Sequence, residues 1–116
     1  MKNVASMIAL SALAAACGSS FRPPTDRLAA SEAAIRSAKE LGAQNDPQAA
    51  LHVKLADEQV ATARHLIKDG DIRRADLVLQ RAKSDAELAV VLTREKAAKT
   101  DAERARQTLD AQKSGK

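Results

Sequence analysis

Residues 46–92 read DPQAALHVKLADEQVATARHLIKDGDIRRADLVLQRAKSDAELAVVL. Asp46-Pro47 pairs a helix N-cap with a proline at the first helical position, a strong start signal. From there Ala49, Val53, Ala56, Val60, Ala63 and Ile67 recur at spacings alternating between four and three. That is the period of a helical hairpin or coiled-coil seam. Leu51, Leu55 and Leu66 widen the same face. Gly70 stops this helix and Asp71 caps the next. The pattern then resumes as Ile72, Ala75, Leu79, Ala82, Ala86 and Ala89. Leu77, Val78, Leu88, Val90, Val91 and Leu92 add a broad apolar flank, so the first half of this helix is expected to touch two neighbours. Two antiparallel helices around an alanine-rich seam follow directly.

Working outward, an earlier helix is expected to open at Thr25 or Asp26, both good N-caps. It runs through Leu28, Ile35, Ala38 and Leu41, and Gly42 suits its C-terminal cap. Beyond Leu92 the large apolar residues give out. Residues 93–116 hold one, Leu109, amid Arg, Lys, Glu, Asp and Ala, which are strong helix formers or helix-compatible. No segment shows sustained alternation rich in β-branched or aromatic residues, so no strand is expected. The fold class is all-α: a small antiparallel hairpin or three-helix bundle with a long protruding C-terminal helix. The seam helix of residues 47–69 is roughly 35 Å long at 1.5 Å per residue. Its partner matches that length at about residues 91–93 and overhangs by roughly 28 Å. Short connections make successive helices antiparallel, which puts the start of the first helix at the Gly70 end and the overhang at the other.

The N-terminus is MKNVASMIALSALAAAC: a basic start at Lys2, a short apolar stretch, and small residues before the chain's one cysteine, Cys17. These are the three parts of a secretory signal. A cysteine directly after the cut looks like a bacterial lipobox, with Ala15 and Ala16 in place and Leu13 one position further back than usual. Ala14-x-Ala16 also satisfies an ordinary cleavage site, which would leave Cys17 a lone exported thiol. The apolar stretch is shorter than the ~20 residues of a spanning helix. The expected organisation is a signal peptide over residues 1–16, a lipidated Cys17 with a tether to residue 25, a helical domain over 26–93 and a charged helical tail over 94–116. In lipoproteins resembling those of enteric bacteria, Asp after the cysteine favours the inner membrane, so Gly18 points to the outer membrane, facing the periplasm. With lipid at the tether, the overhang is expected to point away from that membrane.

Several elements resemble a family of bacterial envelope lipoproteins, the domain-of-unknown-function family 4398. They are the lipobox, Leu28-Ala29-x-x-Glu32-Ala33-Ala34-Ile35-x-x-Ala38, Gly42-Ala43, Pro47, the run from Ala56 to Ala63, Asp69-Gly70-Asp71-x-x-x-Ala75, Ala82 and Asp85-Ala86-Glu87-Leu88-Ala89. The resemblance covers Arg27 to about Thr93 and implies a helical envelope domain without assigned chemistry. Some members of that family carry a peptidoglycan-binding domain of the outer-membrane-protein-A type. Residues 17–116 leave no room for one, so direct non-covalent wall binding is not expected. The Gly70-Asp71 turn also resembles a single tetratricopeptide helix pair, short of the three repeats a groove needs. In the tail, Ala97-Ala98-Lys99-x-Asp101-Ala102-x-Arg104-Ala105-x-Gln107-x-Leu109-Asp110 is similar to the end of the murein lipoprotein, whose C-terminal lysine is joined to peptidoglycan. That resemblance makes Lys116 a candidate attachment point.

Composition narrows the chemistry. Of 116 residues 26 are Ala, and there is one Phe and no Trp or Tyr, so the core is thin and homo-oligomerisation would suit it. With one cysteine, no internal disulfide can form. The net charge of +4 is mild and interleaved, and no aromatic is present for base stacking in the domain, so nucleic acid is not an expected partner. His52 and His65 lie about 140° apart around their helix and roughly 20 Å apart along it, so one chain cannot close a metal site with both. Asp57-Glu58 and Asp85/Glu87 are neighbours that do not face each other, and Asp69 and Asp71 flank a turn they can cap. No serine sits in a nucleophile elbow and no phosphate loop is present. The expectation is a non-enzymatic envelope lipoprotein without cofactor or metal, with a structural or protein-interaction role. Its candidate contacts are Lys96, Lys99, Arg104 and Arg106 on the tail, meeting an envelope protein or the negatively charged wall. The other readings are a covalent membrane-to-peptidoglycan spacer through Lys116, and a small-ligand or metal binder in which an oligomer assembles His52 and His65.

Overall fold

The computed structural model describes residues 22–115. They form α1 (Thr25–Glu40), a 3-10 turn at Ala43–Asn45, α2 (Pro47–Lys68) and α3 (Ile72–Ser114), with no strand among them. Cys17, most of the expected tether and Lys116 lie outside the described residues.

Each helix boundary has a local cause. Asp46 accepts hydrogen bonds from the backbone N–H groups of Gln48 at 3.0 Å and Ala49 at 2.9 Å, and Pro47 occupies the first helical position. At the other end of α2, the Gly70 N–H donates to the Ile67 carbonyl and the Asp71 N–H to the Leu66 carbonyl. This is a Schellman closure, and it needs the left-handed φ of +80° that Gly70 supplies. Asp71 then accepts from Arg74 N–H and starts α3. Gly42 plays the same part after α1, at φ +86°. The start of α1 differs from expectation by one residue. Thr25 is already helical, and Pro24 precedes the helix without a side-chain cap. The Thr25 N–H reaches the Pro23 carbonyl instead, and the fixed φ of the two prolines sets the first turn.

α2 and α3 run antiparallel and share the longest interface. Their seam is Ala49, Val53, Ala56, Val60 and Ala63 against Leu79, Ala82, Ala86 and Ala89, all buried in one cluster with Ile35, Ala38 and Ala43. Small side chains at the contact let the two helix backbones approach closely. Leu79 is the largest side chain buried completely, which is the thin core that composition implied.

α1 lies against one side of this hairpin, antiparallel to α2 and parallel to α3. Ser31 makes the close approach: it is fully buried, and its hydroxyl lies 2.8 Å from the Arg27 carbonyl and 3.0 Å from the Leu79 carbonyl of α3. Three ion pairs, Arg27–Asp76, Lys39–Asp57 and Arg64–Glu32, stitch the edges. Their side chains are mostly well exposed, so each contributes little.

Part of the expected apolar face is not buried. Leu41, Leu51, Leu77, Leu88 and Val91 are 41–57% exposed. α1 and α2 occupy adjacent arcs of α3, and Leu77, Leu88 and Val91 project from the opposite arc. Val78, Val90 and Leu92 do pack against the core. α3 continues as a single helix of 43 residues, about 64 Å at 1.5 Å per residue. From Arg94 to Gly115 every described residue is exposed.

The alanine seam makes a volume prediction. Ala56→Leu or Ala82→Leu should destabilise the domain by about 1–3 kcal/mol through overpacking. Ala111→Leu, beyond the hairpin, should change stability by less than about 0.5 kcal/mol. Urea unfolding followed by circular dichroism checks both, and equal costs at the three sites would contradict the seam.

Candidate functional site

The cations singled out in the sequence do not form one surface. The Lys96 ammonium donates to the Asn45 carbonyl at 2.9 Å and lies 3.4 Å from the Asp46 carboxylate. It is therefore a clip between α3 and the start of α2, and the unsupported helix begins after it. Lys99 pairs with Glu95 at 2.6 Å, and that carboxylate holds the lysine above its ordinary pKa. Arg104 lies 3.5 Å from Asp101. Arg106 has no ion pair with the described residues. At 100° per residue, Arg104 and Arg106 point about 160° apart, whereas Lys99, Arg106 and Lys113 repeat every seven residues along one line. Glu103 and Asp110 stand one turn beyond Lys99 and Arg106, so this line is flanked by acid. The tail is a helix of mixed charge, seven Lys or Arg against four Asp or Glu over residues 94–116, with one weakly basic edge.

Asp46 anchors the clip. Its carboxyl is held below the ordinary value first by the Ala49 N–H, then by Lys96 and the Gln48 N–H, against an opposing pull from desolvation. The same carboxylate thus caps α2 and receives α3, so the foot of the tail and the corner of the bundle are one feature.

A second polar group sits between the seam helices. His52 Nδ1 lies 2.9 Å from one Asp85 oxygen, and the Gln59 amide donates to the other at 2.8 Å. Both partners of the His–Asp pair are about three-quarters covered. The Gln59 carbonyl oxygen is buried without a hydrogen-bond partner. Spacing along a single helix sets His52 only against His65 and Asp85 only against Glu87, which hides this pair. The signal was the turn: pairing outward from Gly70 puts His52 opposite residue 88, within one turn of Asp85. His65 is exposed on the far part of α2. Among the described residues, no group of three or more His, Cys, Asp or Glu is placed to hold a metal ion. No described helix is long and apolar enough to cross a membrane. The His52–Gln59–Asp85 group aligns the two helices; it presents no nucleophile and no enclosed cavity.

No family model, curated protein or solved structure matches this chain.

The Asp46 geometry sets a pH dependence. A carboxyl whose folded pKa is lowered stabilises above its unfolded pKa, and that stability is lost as pH falls through the folded value. Asn at this position still caps a helix, so Asp46→Asn isolates the charge. The melting temperature of wild type should exceed that of Asp46→Asn at neutral pH, and the gap should close below roughly pH 4. Lys96→Ala in the Asp46→Asn background should cost less than it does alone.

Proposed function

We propose that the chain is an exported, lipid-anchored protein of the cell envelope, held through Cys17 at the periplasmic face of the outer membrane. Its role there is structural or interactional, without catalysis or cofactor. The observation that carries this reading is the lone cysteine at the end of the N-terminal apolar run, followed by a Gly-Ser-Ser-Phe-Arg-Pro-Pro tether. The resemblance to the lipoprotein family 4398 supports it. So does the placement of the helices: α1 starts beside the Gly70 turn, and the exposed half of α3 leaves from the other end. A tethered hairpin therefore presents a helix about 27 Å long beyond Lys96, free to meet an envelope protein. Two or three acyl chains would hold it stably, where one binds marginally.

A second reading is favoured by the tail alone. A helix formed through Ser114 suits a covalent spacer between membrane and peptidoglycan. Deleting Lys116 should then abolish recovery with the digested wall, and unchanged recovery would remove this reading.

Metabolic labelling with a clickable fatty acid decides the main proposal. Wild type should take up label and fractionate with membranes, while Cys17→Ala should be unlabelled and released on osmotic shock. Unlabelled wild type would overturn it.

A further inference from the structure

The face of α3 turned away from the bundle carries its own heptad. Leu77, Arg81, Ser84, Leu88, Val91, Glu95, Ala98, Ala102, Ala105 and Leu109 follow one another at alternating spacings of four and three, and every one is exposed. This stripe lies opposite the seam that packs on α2, and it runs unbroken from the bundle into the tail. Leu77, Val91 and Leu109 are 55–57% exposed. A shallow groove lined by Gln59, Leu77, Arg81, Ser84, Asp85 and Leu88 follows its first half. Seven of its ten positions are Leu, Val or Ala, a 3,4 repeat that a helix partner uses and a solvated face does not need.

We propose that this stripe is the seam of a homodimer in which the α3 helices of two copies pack antiparallel, with Leu88 of each facing Val91 of the other. The charges select the occupant, its direction and its register. A parallel dimer would stack Arg81 on its own copy and Glu95 on its own copy in the seam. An antiparallel dimer in this register instead packs Leu77 on Ala102, Arg81 on Ala98 and Ser84 on Glu95 of the second copy. Large residues then meet small ones, and Arg81 stands one layer from the second copy's Glu95. On the flank, Glu87 meets Arg94 of the second copy, twice by symmetry. Neither Arg81 nor Arg94 has an ion-pair partner among the described residues of its own chain. Sliding the pair by one heptad in one direction sets Glu87 on Glu87. Sliding it in the other sets Arg94 on Arg94 and Glu87 on Asp101. Flanking charges of this kind fix orientation and partner choice between helices.

The overlap spans residues 77–102 of both chains, about 38 Å of helix. The two α1 starts then lie at opposite ends of the dimer, roughly 50 Å apart at 1.5 Å per residue. Two tethers so placed hold the rod along a surface, in contrast to the upright orientation expected of a single chain. The dimer itself does not depend on lipid at Cys17.

The test uses the full chain with Cys17→Ser, so that introduced thiols are the only ones. Sedimentation should show a dimer, and Val91→Glu should make it a monomer with unchanged helicity. Glu87→Arg should weaken the dimer about tenfold, since two surface pairs turn repulsive. Adding Arg94→Glu should restore it. Leu77→Cys mixed with size-tagged Ala102→Cys should give the mixed disulfide, and Leu77→Cys alone should give little. A chain that stays monomeric up to ~1 mM, a Leu77→Cys chain that crosslinks efficiently to itself, or a charge swap that fails to restore the dimer would each overturn the proposal.

Discussion

The close approach of α2 and α3 along alanine governs the rest of this molecule. Alanine contributes little burial per residue, so the interface works through proximity and length. Two consequences follow. The core has almost no depth: among the described residues, Leu79 is the one large side chain fully enclosed. The seam also tolerates no added volume, so register between the two helices is fixed tightly once Gly70 and Asp71 close the turn. Side chains far apart in sequence, such as His52 and Asp85, are thereby set opposite each other at 2.9 Å.

The same register determines where support for α3 ends. α2 begins at Pro47 because Asp46 caps it, and Lys96 reaches that corner from α3. Past this clip, every described residue of α3 is exposed. A helix segment of that length is marginal by itself in water. Its Ala, Glu, Lys and Arg content and the Glu95–Lys99 pair keep it helical at modest cost. The proposed dimer along the outward heptad of α3 would give the foot of this segment, as far as Ala102, a neighbour in a second copy.

Much of this was legible in the sequence for reasons that can be named. Asp46-Pro47 and Gly70-Asp71 are local signals whose chemistry acts within four residues, and the 4,3 spacing of Ala and Val fixes which faces meet. What stayed hidden depended on a third body. Nothing in the periodicity of α1 says that Ser31, between Ala30 and Glu32, is fully buried and bonded to the Leu79 carbonyl of α3. The flank of Leu77, Leu88 and Val91 reads as buried until the arcs taken by α1 and α2 are known. Lys96 reads as a free surface cation until the corner at Asn45 and Asp46 is placed beneath it. The cations at 99, 104 and 106 look like a cluster along the chain, and helical geometry keeps Lys99 and Arg106 on one line while turning Arg104 to the other side.

The central claim is that one half of α3 is held by the hairpin while the other half stands clear of it. Amide hydrogen exchange measured along the purified chain tests this directly. Residues 47–92 should be protected by global unfolding, and residues 103–115 should exchange at least ~100-fold faster, with the change falling after the Lys96 clip. Uniform protection from Ile72 to Ser114 would contradict the account.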